Sequence, residues 1–128
     1  MRSKARELAF QLIFERLFTE SERAFDEEFF VSLKKEQDIQ FCKQIVNEFC
    51  NNRNELEKIV SQNLIGYELS RVYKVDLALI FEAVCEIKYL SSPTAVVINE
   101  VVELAKKYST EKSSRFVNGV LSSICKKL

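Results

Sequence analysis

The residues best equipped for chemistry are cations gathered at the two ends of the chain. Residues 1–6 hold Arg2, Lys4 and Arg6 with no acid, and residues 104–128 hold Lys106, Lys107, Lys112, Arg115, Lys126 and Lys127 against Glu111 alone. Residues 20–38 are the counterweight, with seven acids against three bases, so that 19 Lys+Arg cancel 19 Asp+Glu over the whole chain. A protein of zero net charge still presents a local anion-binding surface when its cations are segregated in this way. The chemistry on offer is neutralisation of phosphate. Aromatic rings that lie near the cations in sequence (Phe10, Phe14, Phe116) either stack on unpaired bases or fill a core, and their spacing favours the core.

Catalytic constellations are not in evidence. The chain has no His, which removes the commonest neutral-pH acid/base and the commonest zinc ligand. Cys42, Cys50, Cys85 and Cys125 form no C-x-x-C pair, so neither a zinc site nor a redox motif is indicated, and reduced thiols in a cytoplasmic core are expected. With two glycines, the chain holds no P-loop, no G-x-G-x-x-G and no G-x-S-x-G. The i, i+4 carboxylates Glu82 and Glu86 read as a solvated or salt-bridged helix face. No cofactor and no metal are expected. No signal peptide opens the chain, and no run of about 18 apolar residues offers a membrane span.

The elements that position these side chains are helices. Two glycines and one proline in 128 residues leave little material for turns, and the length suits one domain spanning residues 1–128. Apolar residues from Ala5 to Leu17 recur at helical spacing, with Ser3 placed to cap. A second helix is expected from Ser21, burying Phe25, Phe29, Phe30 and Leu33. A third starts near Asp38 and runs to a turn at residues 51–54, and a fourth carries Leu56 to Leu64 and ends at Gly66. Residues 75–90 are apolar around nearly the whole circumference, which marks the central helix of a domain. After Pro93 a sixth helix buries Ala95, Ile98, Val101, Val102, Ala105 and Tyr108. The last starts near Lys112 and buries Phe116, Val117, Val120, Leu121 and Ile124. Asn118-Gly119 interrupts no periodicity, so Gly119 is expected inside that helix, where two helices approach closely.

Three segments carry a resemblance: Ala5-Arg6-Glu7-Leu8-Ala9-Phe10-Gln11-Leu12, then Ile98 to Tyr108 (INEVVELAKKY), then Phe116-Val117-Asn118-Gly119-Val120-Leu121. In that order and spacing they resemble the NusB family of bacterial transcription antitermination factors, which shows A-R-x-x-A-x-Q-x-L, I-N-E-x-V-E-L-A-K and F-V-N-G-V-L. The resemblance implies an all-α fold of about seven helices in two packed sub-bundles. It implies binding to the boxA element of ribosomal RNA leaders together with the ribosomal protein NusE, in an antitermination complex on RNA polymerase. It matches Arg2, Lys4 and Arg6 to an RNA-touching arm, places Gln11 and Phe116 near that surface, and puts Asp76 on the protein-partner side. Lys112 stands where the family often has an acid, and beside Arg115 it adds a site for phosphate. The central helix keeps Asp76, Ala78, Ala83 and Glu86, but Leu77 and Phe81 stand at arginine positions and Cys85 at a tyrosine position. The function implied is binding, not catalysis, and a homodimer is compatible with it. Two alternatives remain open. One is a diverged interaction or self-associating module without RNA binding. The other is a domain like that of ribosomal RNA cytosine methyltransferases, against which stands the chain's end one turn past its last core residue.

Overall fold

The structure, a computed structural model, describes residues 2–18, 30–66 and 68–128. Among them the secondary structure is helical throughout: α1 (Ser3–Phe18), α2 (Glu36–Asn51), α3 (Arg53–Ser61), α4 (Lys74–Tyr89), α5 (Thr94–Tyr108) and α6 (Glu111–Cys125), with a 3-10 turn at Leu69–Arg71 before α4. The described residues thus hold six helices where about seven were expected. Most of the second expected helix lies outside them, and its described end, Phe30 to Leu33, is a 3-10 turn whose Leu33 N–H donates to the Phe30 carbonyl at 2.9 Å.

α4 organises the rest. Eleven consecutive residues, Asp76 to Glu86, are buried, as a helix apolar on every side must be when other helices surround it. α1 and α2 pack on one flank and α5 and α6 on the other, while α3 touches α2, α4 and α6. Leu77, Phe81 and Cys85 are all buried, and Phe81 meets Phe49 of α2 with ring centroids 5.3 Å apart. The three departures on the central helix therefore lie in the interior and form no part of a surface.

Helix ends follow from local chemistry. Thr110 caps α6, its hydroxyl accepting the Ser113 N–H at 3.1 Å, and Pro93 sits at the N-cap of α5, where its lack of an N–H costs nothing. Gly66 has φ +86, the left-handed region that glycine enters without a Cβ penalty. Ser3 is the first residue of α1 and does not cap it; its hydroxyl donates to Glu100 of α5 at 2.9 Å. α2 and α3 are separated by Asn52 alone, not by a four-residue turn.

Two packing expectations are corrected. α5 buries Val97, Val101, Leu104 and Ala105, so its inner face is rotated from the one expected, leaving Ala95 and Tyr108 exposed. Gly119 is exposed, and a Cβ built on it meets nothing within 4 Å. No close helix approach requires it. All four cysteines are free thiols, Cys42 and Cys85 buried and the other two half-buried. No helix among the described residues is long and apolar enough to cross a membrane.

Candidate nucleic-acid interface

The basic arm splits into exposed and buried members. Lys4 is exposed, and so is Arg2, whose guanidinium lies 4.2 Å from the centre of the Phe41 ring, a cation–π arrangement that orders it without consuming its charge. Arg6 is only 5% exposed. Its Nε donates to Glu86 Oε2 at 2.8 Å and Oε1 at 3.0 Å, and its Nη1 lies 3.9 Å from Glu100 Oε1. Burial pulls the guanidinium pKa down, but the hydrogen bond and charge of Glu86 more than offset this, and the net shift is upward. The pairing through Nε holds the guanidinium in the interior. Arg6, expected among the RNA-touching residues, is held here in an internal ion pair.

Farther along α1 the surface is stitched to α5. Lys107 Nζ meets Glu7 Oε2 at 2.8 Å, and Gln11 Nε2 donates to the Tyr108 hydroxyl at 2.9 Å. The Tyr108 ring also packs on Phe10, centroids 5.2 Å apart, which explains why Phe10 is buried while Gln11, one residue on, is exposed.

The second cationic group lies at the opposite end of α4. Asp76 is buried beside Ser113 of α6, whereas Arg6 is held by Glu86 ten residues farther on. At 1.5 Å per residue the two ends are roughly 15 Å apart along the helix axis. The arm and the start of α6 are therefore two patches, with Gln11, Tyr108 and Lys107 between them, and not one cluster.

At this second end, the loop before α4 and the first turn of α6 enclose a groove of about 790 Å³. Arg71, Tyr73, Lys74 and Asp76 line one wall and Thr110, Lys112, Ser113 and Phe116 the other. Asp76 lies at its floor, 2% exposed, and its Oδ1 has no hydrogen-bond partner among the described residues. Burial raises its pKa against the opposing hydrogen bond of Ser113. A buried acceptor without a partner, opening on a groove rimmed by Arg71, Lys74 and Lys112, is equipped to receive a donor from a bound molecule. Phe116, half-buried, separates this groove from a smaller one of about 330 Å³ lined by Leu64, Ile65, Arg115, Gly119 and Ser123. Ile65 there is 92% exposed, and Tyr73 in the larger groove 75%. Arg115 also borders a third groove between α5 and α6, with Lys106 and Asn118.

Lys112, Arg115 and Phe116, expected on the RNA side, and Asp76, expected on the protein-partner side, come to adjoining grooves. Sequence reasoning missed Tyr73, Ile65 and Tyr108. Tyr73 and Ile65 precede α4 in a stretch without periodicity, where no pattern separates inside from outside. Tyr108, expected buried, is exposed because α5 faces the core through Val97, Val101, Leu104 and Ala105. Glu82 and Glu86, expected on a solvated or salt-bridged face, are both fully buried, and Glu86 is salt-bridged to Arg6.

Comparison with known proteins adds the following. The sequence profile described as the NusB family matches residues 3–126. A transcription antitermination protein NusB of Finegoldia magna is 41% identical over 130 residues, covering 98% of this chain and 94% of its own. Among solved structures, T. maritima NusB superposes with TM-score 0.89 at 27% identity, covering 99% of this chain and 92% of that one. A crystal structure of antitermination factors NusB and NusE in complex with dsRNA superposes with TM-score 0.87 at 27% identity, covering 99% and 97%.

Proposed function

This chain belongs to the NusB family, and on that premise we propose that it is a cytoplasmic transcription antitermination factor that binds boxA-type RNA of ribosomal RNA leaders together with ribosomal protein NusE. It acts by binding, without a catalytic step, within the antitermination complex on RNA polymerase. Residues 1–128 serve as one RNA-binding domain, with the helices on either flank of α4 forming two sub-bundles that share it.

The observation that carries this reading is the set of exposed cations beside aromatic and amide groups, on a fold that superposes on NusB solved with NusE and RNA. Arg2 and Lys4 neutralise phosphates at one end, and Lys112 and Arg115 at the other, with Gln11 between them and Phe116 offering a ring edge at the groove wall. Asp76 and the wall of the 790 Å³ groove formed by Arg71, Tyr73 and Lys74 face the protein partner, and the opposite wall with Lys112 and Phe116 faces the RNA. That groove combines exposed Tyr73 with a buried unpaired acceptor, the mixture of apolar anchor and polar specificity found at the centre of interfaces.

The test is a salt series on a boxA-like single-stranded RNA, with the duplex form as a second probe. Lys112→Ala and Arg115→Ala are each expected to weaken binding and to reduce the slope of log K against log salt by about 0.7 for a single strand. Unchanged affinity and slope in both variants would show that the phosphates run elsewhere.

A further inference from the structure

The carboxyl pair on α4 has no part in the RNA surface as drawn above, yet it is the least conventional feature of the interior. Glu82 is fully buried, and neither of its oxygens accepts a hydrogen bond from a described residue. One turn along the same helix, equally buried Glu86 receives Arg6 at 2.8 Å. The charged groups acting on Glu82 are Arg6 from α1, Glu100 from α5 and Glu86 from α4 itself, and Glu82 in turn raises the neighbouring thiols of Cys42 on α2 and Cys85 on α4. One guanidinium thus stands against two buried carboxyls and a half-buried third.

Charge balance decides the protonation. An ionised carboxylate without a partner in an apolar interior costs far more than taking up a proton. The arrangement that leaves the buried cluster neutral is a cationic Arg6, an anionic Glu86 and a protonated Glu82. Burial first, then the neighbouring Glu86 charge and a hydrogen bond with Glu86, push Glu82 well above the ordinary carboxylate range, with Arg6 pulling the other way.

The same cluster fixes the basic arm. Arg6 N–H donates to the Arg2 carbonyl at 2.9 Å, closing the first turn of α1, and Ser3 is held by Glu100. We propose that Glu82 is a buried proton latch: protonated, it leaves the Arg6–Glu86 pair intact and holds the turn that presents Arg2 and Lys4; ionised, it sets a second carboxylate against the same guanidinium and loosens that turn. The consequence for RNA affinity rests on the RNA-binding reading above, whereas the proton and the turn do not.

The sign of the pH dependence follows. The folded chain keeps a proton that the unfolded chain releases near the usual glutamate value of 4.5. Stability attributable to this group therefore falls as pH rises above that value, and stops falling once the folded-state pKa is passed.

The experiment uses the full chain, as wild type, Glu82→Gln and Glu82→Leu, with 13C placed at glutamate side-chain carboxyls and 15N in the backbone. In the wild type one carboxyl signal, absent from both variants, is expected to stay in its protonated position past the range where exposed glutamates titrate. The amides of residues 3–7 are expected to shift with its midpoint. The wild-type unfolding constant should rise relative to the variants by up to tenfold per pH unit within that window. Affinity for a boxA-like RNA at fixed salt should decline with the same midpoint in the wild type and stay flat in Glu82→Gln. A Glu82 carbon that titrates with the exposed glutamates overturns the proposal, as do amides of residues 3–7 that ignore its titration. If none of the three proteins binds RNA at any pH, the RNA reading fails, and the amide signals alone decide the latch. Glu82→Leu keeps the comparison available if the glutamine variant folds poorly.

Discussion

Replacing Arg6 with Ala separates two roles that sequence alone gives to one residue. In the structure its side chain is 6% exposed and Glu86 is wholly enclosed, so the pair is shielded from solvent and its strength is not discounted by screening. Removing the guanidinium leaves Glu86 buried beside Glu82 with no counter-charge. Breaking one side of a buried ion pair costs about 3–5 kcal/mol, against a total stability of about 5–15 kcal/mol for a domain of this size. Urea unfolding at pH 7 measures the loss directly. A second variant, Arg6→Met with Glu86→Leu, removes both charges and should recover most of it, because the expense lies in the orphaned carboxylate and not in the absence of the pair. In the fraction that folds, any change in RNA binding is expected to come through the loosened turn that presents Arg2 and Lys4, since the Arg6 side chain is engaged by Glu86. The reasoning is refuted if Arg6→Ala unfolds within about 0.5 kcal/mol of the wild type, as surface substitutions do, while the salt slope drops by about 0.7.

Three further outcomes are expected. Ile80→Ala and Val84→Ala, both at fully enclosed positions of α4, should each cost on the order of 1–5 kcal/mol by denaturant titration, and a loss under about 0.5 kcal/mol would displace α4 from the centre. Gly119→Ala should stabilise the protein by about 0.5–1 kcal/mol, because the site is helical and open and alanine is the better helix former; a loss of stability would restore a close helix contact there. Burial pushes the Cys42 thiol up to about 12 and raises Cys85 as well, so mass spectrometry after brief alkylation at pH 8 should find Cys50 labelled well before either, and rapid labelling of Cys42 in the folded state would contradict its placement.

The central helix was legible because its pattern is extreme: from Val75 to Leu90 no continuous polar stripe exists, and only a surrounded helix tolerates that. The same pattern should have placed Glu82 and Glu86 inside, since a helix without a solvated face cannot lend one to two carboxylates. The i, i+4 spacing, common on surfaces, outweighed it. The burial of Arg6 is hard to read for a different reason. The residue lies one helical step from Ala9, Phe10 and Ile13 on the inner face of α1, but a buried arginine requires an acid, and that acid is 80 residues away in sequence. Gly119 is set off the stripe of Val117, Val120 and Leu121 by the helical repeat, so its exposure was readable, and the close contact inferred for it was a guess from residue type. The grooves were not readable at all. They arise where the aperiodic stretch before α4 meets the first turns of α6, and nothing local to either segment encodes that meeting.

RNA affinity measured with and without NusE tests the central claim most directly. Fluorescence anisotropy on a labelled boxA-like RNA at physiological salt, with purified NusE present or absent, gives the coupling between the two partners. If both occupy this one domain together, NusE should tighten RNA binding by roughly 5–150-fold, and RNA should tighten NusE binding by the same factor. Failure of the chain to bind the RNA at physiological salt, either alone or with NusE, would contradict the account.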